Sequence, residues 1–292
     1  MISHYSPVNY SLTAGYFGDD PMMPYNDPNY LTRYQYQDSR NLNARIQIHK
    51  LFSTGTQDWN DFIFEHLNIM AGMRVLALGC GNATQWQVNQ QRFPATAQVI
   101  LTDLSFGMVQ EAQAALGGQP MFAALCQDAQ NLAFGSQTFD LVTANHMLYH
   151  VPTPVRALAE AARLLKPSGR LMAATNGNGH LKELDSLLRE FDPGYQPESS
   201  MHAAFSLENG MLQIKPYFGE VEVIKYPSDL WVTDAALLSD YAFSTPNVKE
   251  RFPADQQPGL TRFFQSRIVR DGGIFIKKET GIFLAARPAV HG

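Results

Sequence analysis

Two glycines and one carboxylate are spaced as in a nucleoside-binding site. Gly79 and Gly81 follow a short apolar run, and Asp103 closes the next apolar run, 22 positions after Gly81. Glycines at a strand end let backbone N–H groups approach a ligand closely, and an acid at the end of the following strand can accept hydrogen bonds from two ribose hydroxyls. Because Thr84 stands where a dinucleotide fingerprint needs its third glycine, the spacing favours a nucleoside without a pyrophosphate.

More polar residues follow the next two apolar runs. Asp128 and Ala129 follow the third predicted strand, and Asn145 and His146 follow the fourth. An open parallel sheet binds its ligand at the carboxyl ends of its strands, so we expect an adenine amino group near Asp128 and the ring near the Ala129 backbone N–H. The alternatives are that Asp103 only caps a helix and that Asp128 is a solvated loop residue. The first candidate for the ligand is S-adenosylmethionine.

The elements that position these residues alternate between strand and helix from position 74 onward, which is typical of a doubly wound α/β sheet. Strands are predicted at 74–78, 98–102, 121–125, 139–143, 170–175, 220–226, 274–277 and 280–285. Helices are predicted at about 38–52, 59–67, 84–92, 106–116, 154–165, 181–190, 207–214, 233–243 and 260–270, with a turn at 166–169. We expect one sheet domain over residues 56–292, with a helical insertion at about 229–272.

The first forty residues are rich in aromatic side chains interleaved with Gly, Pro, Asn and Asp: Tyr5, Tyr10, Tyr16, Phe17, Tyr25, Tyr30, Tyr34 and Tyr36. Disordered segments are poor in aromatics, so this segment is expected to pack on something. One alternative is that the segment covers a sheet edge. The other is that it forms a lid together with the helix that follows, made of residues 1–55, which excludes water from the site. Tyrosine faces attract cations, which suits a sulfonium or an amine.

Five segments resemble the successive motifs of class I S-adenosylmethionine-dependent methyltransferases, in the small-molecule branch of the ubiquinone/menaquinone methyltransferases. They are residues 75–82, 101–108, 126–129, 139–151 and 161–171, in the order and spacing of that family over about a third of the chain. The resemblance implies a Rossmann-like seven-stranded sheet, mostly parallel with an antiparallel last strand. It also implies in-line transfer of a methyl group to a small molecule. The cofactor-binding residues expected are Leu78, Gly79, Cys80, Gly81, Asp103, Leu104, Met108, Asp128, Ala129, Asn145 and His146.

Two positions depart from the family pattern. Ala77 stands where the family has an acid that helps to hold the methionine amino group, and Ala83 replaces the third family glycine. Ala83 is tolerable if its φ stays negative. Arg45 and His49, four residues apart on one helix face, are candidates to replace the missing contact, since Arg45 offers a bidentate fork for a carboxylate. The alternative is that Arg45 pairs with a surface acid.

His150 and Tyr149 are the candidate catalytic residues, and Tyr30, Tyr34, His49 and Asn176 are the candidate acceptor-binding residues. The methyl donor is already activated, and positioning alone can lower a barrier by about 7–11 kcal/mol. His150 is therefore either a general base for a protonated acceptor or a residue that shapes the site. His146 and His150 lack a third ligand at suitable spacing, so no metal is expected.

Composition narrows the class of protein further. The chain has 292 residues, 45% of them apolar, a net charge of −5 and two cysteines. Without a block of like charges, a signal sequence or an apolar segment of about 20 residues, we expect a cytoplasmic protein that binds neither nucleic acid nor membrane. A homodimer through the insertion is an open possibility. For a methyltransferase, the acceptor atom (N, O or C) stays open. One alternative is a non-catalytic nucleoside-binding or scaffold protein. A nicotinamide-dependent oxidoreductase is a further alternative, which the glycine spacing favours less.

Overall fold

Nine strands and ten α-helices make up the part of the chain that the computed structural model describes: residues 27, 31, 40–197 and 204–288, with the backbone alone for residues 40–44. The strands are β1 (Arg74–Leu78), β2 (Gln98–Asp103), β3 (Phe122–Cys126), β4 (Phe139–Asn145), β5 (Leu165–Asn176), β6 (Phe218–Lys225), β7 (Leu230–Val232), β8 (Ile274–Ile276) and β9 (Thr280–Pro288). The helices are α1 (Arg40–Phe52), α2 (Trp59–Leu67), α3 (Thr84–Val88), α4 (Phe106–Ala115), α5 (Pro154–Leu164), α6 (Lys182–Phe191), α7 (Gly210–Ile214), α8 (Ala235–Phe243), α9 (Pro246–Arg251) and α10 (Gln257–Asp271).

Seven of these strands form one sheet in the order β3–β2–β1–β4–β5–β9–β6. The first five pair in parallel, and β9 inserts antiparallel between β5 and β6. The predicted α/β sheet with an antiparallel last strand is therefore confirmed. The direction of chain order reverses at β1: strand β2 lies on one side of it and β4 on the other. That switch point is where an open sheet of this kind binds a ligand.

The two faces of the sheet bury different residues of the same strands, because successive side chains of a strand point to opposite sides. Leu76 and Leu78 of β1 pack in the core beneath α5, whereas Val75 and Ala77 pack with α2 and α4 on the other face. Helices thus cover both faces, which explains why the central strands read as unbroken apolar runs.

A third hydrophobic core lies outside the sheet. It joins Ile48 of α1 and Leu188 of α6 to Val232 of β7, Leu238 of α8 and Phe264 of α10. Strands β7 and β8 pair with each other in a separate two-stranded sheet. We call α1, α6, β7, α8, α9, α10 and β8 the cap. It includes the predicted insertion, but α1 and α6 join it from elsewhere in the chain; the domain limits 1–55 and 56–292 stay predictions.

Several local predictions need correction. Residues 166–169 are not a separate turn but belong to β5, whose pairing with β4 shifts register between Phe139 and Leu141. Such a bulge accommodates Pro and Gly within a strand. The predicted helix 84–92 is α3 followed by a 3-10 turn at Gln90–Arg92, α7 begins at Gly210 rather than at 207, and β7 and α9 were not predicted. Among the described residues, no helix has both the length and the apolarity needed to cross a membrane.

Candidate functional site

A cavity of about 760 Å³ lies at the switch point, between the carboxyl ends of the strands and the cap. It brings together all the predicted site residues that the structure describes: Arg45, His49, Leu78, Gly79, Cys80, Gly81, Asp103, Leu104, Met108, Asp128, Ala129, Asn145, His146, Tyr149, His150 and Asn176. Tyr30 and Tyr34 lie outside the described residues, as does the rest of the predicted lid except for residues 27, 31 and 40–55.

The turn after β1 is built on left-handed backbone. Gly79 has φ +58° and Gly81 has φ +54°. A Cβ added at Gly79 would lie 2.6 Å from the Cβ of Met147, so a side chain is excluded there. Ala83 also has a positive φ, +59°. The condition set above for an easily tolerated Ala83, a negative φ, is therefore not met: the residue is left-handed, which costs an L-residue about 1–2 kcal/mol.

Asp103 is oriented by the backbone around it. Its Oδ2 accepts from the Gly81 N–H at 2.9 Å and its Oδ1 from the Ser105 N–H at 2.9 Å. Burial raises the pKa of this carboxyl, while hydrogen bonds from the N–H groups of Ser105, Gly81 and Leu104 act in the opposite direction. The helix N-cap of α4 is Ser105, whose Oγ accepts from Met108 N. The cap alternative for Asp103 therefore does not describe its position: the carboxylate joins the glycine turn to the end of β2.

The residues after β3 differ in exposure. Asp128 is exposed, and its Oδ1 accepts from the Gln130 backbone N–H at 2.9 Å, whereas Ala129 is buried. Met108 of α4 is buried and Leu104 is partly exposed. Asp128 can thus serve as a turn-forming loop residue and still line the cavity, so its adenine-binding role stays a prediction.

Two amide side chains meet at the wall of the cavity that Ala77 also lines. Asn145 at the end of β4 donates from Nδ2 to Oε1 of Gln85 in α3. Within the described part of the chain, Gln85 Nε2 and Asn145 Oδ1 are buried and have no hydrogen-bond partner. An unsatisfied buried polar atom costs about 1–3 kcal/mol, so an unused donor and an unused acceptor side by side indicate a place for a ligand. Sequence reasoning missed Gln85, because nothing in its spacing distinguishes it from other helix residues.

Arg45 lines the cavity but also ties the cap together. Its Nε donates to Ser244 Oγ at 3.3 Å and its Nη2 donates to the Ser244 carbonyl at 3.1 Å. The guanidinium therefore joins α1 to the end of α8. Arg45 was predicted to hold the methionine end of the donor in place of the acid missing at Ala77. This role stays a prediction, and the contacts with Ser244 do not favour it because they already use two nitrogens of the guanidinium.

The residues after β4 form an irregular turn. His146 has φ +52°, its N–H donates to the Ala174 carbonyl at 2.9 Å, and its ring lies 5.2 Å from that of Trp59. Tyr149 is buried, with its ring 4.5 Å from that of His150. The segment from Leu148 to His150 is a 3-10 turn, so the two histidines do not lie on one α-helical face. No group of metal-binding side chains is found in the described ranges.

His49 lies where the cap meets the sheet. Its ring is 6.2 Å from His180 and 5.9 Å from Tyr241. Burial, followed by the charges of Lys278 and His146, lowers the pKa of His49 to about 3. The imidazole is therefore neutral at neutral pH. Asn176 at the end of β5 completes this part of the wall, its carbonyl accepting from Leu207 N at 3.0 Å.

Lys278, between β8 and β9, is the main residue that sequence reasoning missed. It is 7% exposed and lines the cavity. Its Nζ donates to Ser53 Oγ at 2.8 Å and lies 4.9 Å from the centre of the Tyr226 ring. Burial lowers its pKa to about 8. Its neighbours in sequence carry no periodic pattern that predicts burial, so only the packing of the cap on β9 reveals it.

Comparisons with known proteins agree with this architecture. Residues 76–173 match the family model described as a methyltransferase domain. The chain is 34% identical to the ubiquinone/menaquinone biosynthesis C-methyltransferase of Bordetella avium (strain 197N), over 39% of this chain and 45% of that relative. It is 31% identical to the demethylmenaquinone methyltransferase of Thermobifida fusca (strain YX), over 48% of this chain and 60% of that relative. The chain spans about half the length of the curated relatives it matches.

A solved structure shows the same fold. Phosphoethanolamine N-methyltransferase 2 of Haemonchus contortus, solved in complex with S-adenosyl-L-methionine, superposes with a TM-score of 0.56. The match covers 92% of this chain and 61% of that chain at 19% sequence identity. At that identity it shows the fold, and the match of residues 76–173 to the methyltransferase-domain model confirms the resemblance predicted from the sequence.

Proposed function

We propose that the protein is an enzyme that transfers a methyl group from S-adenosylmethionine to a small-molecule acceptor. The single observation that carries this proposal is the cavity at the switch point of the methyltransferase domain. There the glycine turn and Asp103 lie beside an unused amide donor and acceptor, on Gln85 and Asn145. This combination fits a nucleoside that also carries a zwitterionic amino-acid end.

The residues present fit such a donor. The Asp103 carboxylate accepts from the backbone N–H groups of Gly81, Ser105 and Leu104, and with about four lone-pair sites on its two oxygens it keeps acceptor capacity for a ribose hydroxyl. Asn145 Oδ1 can accept from an ammonium group and Gln85 Nε2 can donate to a carboxylate. The amide pair would then supply the contact that the family obtains from the acid absent at Ala77. The empty family position and the unpartnered amides thus have one common explanation.

When bound, S-adenosylmethionine supplies an electrophilic methyl group on a sulfonium. Asp103, Gln85 and Asn145 would hold this donor, whose methyl group would pass to an electron pair of the acceptor while sulfur keeps the electrons of the broken sulfur–carbon bond. Residues of this chain hold the two reactants in line, which is the main requirement of the reaction. His150, with its ring against Tyr149, is positioned at the cavity wall to take a proton from a protonated acceptor or to shape the acceptor site.

The test is calorimetry with two ligands that differ only at the amino-acid end: S-adenosylhomocysteine, and 5′-methylthioadenosine, which lacks that end. We expect Gln85→Leu to weaken S-adenosylhomocysteine binding by roughly 10–100-fold, the worth of a hydrogen bond to a charged group. Binding of 5′-methylthioadenosine should change less than about twofold. Asn145→Ala should behave in the same way.

Gln87→Leu is the matched control. Gln87 lies in the same helix, is exposed and does not line the cavity, so both affinities should stay at the wild-type value. If Gln85→Leu weakens both ligands equally, the amides do not hold the amino-acid end. If the wild-type protein binds neither ligand, the methyltransferase proposal fails and the non-catalytic scaffold alternative is favoured.

The remaining predictions from the sequence concern binding partners and cellular compartment. A cytoplasmic enzyme that acts on a free small molecule, without a nucleic-acid partner, agrees with the net charge of −5. A homodimer through the insertion stays a prediction, and the acceptor atom (N, O or C) stays open.

A further inference from the structure

Lys278 has no function in donor binding as described above, yet it is buried at the cavity wall. Burying a charged group is costly unless it is paired. Lys278 takes part in none of the salt bridges within the described ranges, so no carboxylate there lies within 4.0 Å of its Nζ. Among the described residues, no direct ion pair offsets the charge of Lys278.

The known contacts of the Lys278 ammonium do not use all its donors. Ser53 Oγ donates its own hydrogen to the His49 carbonyl at 2.5 Å, so it accepts from Lys278 Nζ. The ring of Tyr226 lies 4.9 Å from the same Nζ, and its hydroxyl donates to the Gln57 carbonyl. An ammonium has three donors, so at least one N–H remains for a ligand in the cavity.

The charged neighbours of Lys278 are engaged elsewhere. Asp229, on the segment before β7, accepts the Lys278 backbone N–H at 2.9 Å through Oδ1. Asp58 is exposed and accepts the Asn60 N–H as the N-cap of α2. Both carboxylates favour the charged form of Lys278 from a distance, while burial opposes it. His49, on the side of α1, is neutral because of its low pKa.

Several aromatic side chains line the same cavity as Lys278. Trp59, Tyr226 and Tyr241 line the cavity together with His146 and His180. Aromatic walls suit a flat or cationic ligand, but a buried ammonium repels a cationic acceptor. A donor sulfonium in the same cavity adds a second positive charge, which an anionic acceptor would offset.

We propose that Lys278, held by Ser53, binds an oxyanion of the acceptor, so that the preferred acceptors are small aromatic molecules that carry a carboxylate or an ionised hydroxyl. This proposal rests on the proposed methyltransferase function. It assigns the β8–β9 junction, which lies outside residues 76–173, as the specificity-determining part of the acceptor site.

The test uses two oxyanion probes on the protein saturated with S-adenosylhomocysteine. Benzoate is compared with its uncharged counterpart benzamide by calorimetry, and 4-nitrophenol is titrated by its visible absorbance. We expect the wild-type protein to prefer benzoate over benzamide at least tenfold, to lower the apparent pKa of bound 4-nitrophenol, or to do both. Selectivity for benzoate alone assigns a carboxylate, and a shifted 4-nitrophenol titration assigns an ionised hydroxyl.

Lys278→Met should remove either effect, while benzamide affinity and S-adenosylhomocysteine affinity stay within about twofold. Lys277→Met, at the exposed neighbouring position, is the matched control and should retain the wild-type selectivity. The proposal is overturned if neither oxyanion probe is favoured by the wild-type protein, or if Lys278→Met keeps the preference. If the wild-type protein does not bind S-adenosylhomocysteine, the result contradicts the proposed function instead. Failure of the Lys278 proposal and failure of the proposed function are therefore distinguishable.

Discussion

His49 is a single residue whose burial links the cavity to the stability of the protein. Its pKa of about 3 in the folded state lies below the ordinary value of 6.5. As the pH falls from 6.5 towards 3, the unfolded chain binds a proton at this site and the folded chain does not. The free energy of unfolding therefore falls over that window.

We expect His49→Gln to remove this dependence. The wild-type protein should lose roughly 3–5 kcal/mol through this residue between pH 6.5 and pH 3, whereas the variant should lose that much less. Urea unfolding at a series of pH values from 7 to 3.5 measures the difference. Parallel curves for the two proteins would show that His49 is accessible to a proton in the folded state.

At the scale of elements, the turn between β1 and α3 packs so closely against the loop after β4 that Gly79 has no room for a side chain. Gly79→Ala combines the strain of a left-handed alanine with an overlap against Met147. We expect a loss of roughly 2–4 kcal/mol in the free energy of unfolding and a marked loss of S-adenosylhomocysteine affinity.

Gly72→Ala separates the two causes, since Gly72 has a φ of +78° and nothing within 4 Å of an added Cβ. Backbone strain alone predicts about 1 kcal/mol of destabilisation there, with unchanged ligand affinity. Equal destabilisation by the two substitutions, measured by thermal unfolding, would argue against a close approach at Met147.

At the scale of the whole molecule, residues of the cap line one side of the cavity. The lid predicted over the first part of the chain stays a prediction. If residues 1–35 cover bound ligand, their deletion should speed the dissociation of S-adenosylhomocysteine by roughly tenfold, since a lid must open for release. Stopped-flow displacement measures this rate without knowledge of the acceptor. An unchanged rate would favour the alternative that the segment only covers the sheet.

Much of the fold and of the donor half of the site could be predicted because their signals are local. Apolar runs followed by a glycine, a carboxylate or an asparagine predicted β1, β2 and β4 to within a few residues. Since carboxyl ends of parallel strands meet at one edge, Gly79, Asp103 and Asn145 had to lie together. Their order in sequence was sufficient for that conclusion.

The acceptor half depends on contacts between distant parts of the chain, which no local pattern predicts. Lys278 contacts Ser53 across 225 positions, and Arg45 contacts Ser244 across 199. Burial of a lysine is a property of the packing around it rather than of its neighbours in sequence, and the same holds for the unpartnered amides of Gln85 and Asn145. By itself the sequence determined the sheet and the edge at which we propose that the donor binds, because strand periodicity and glycine conformation are local. Only the tertiary structure decided which polar groups are buried without partners, because burial depends on what the rest of the chain packs against them.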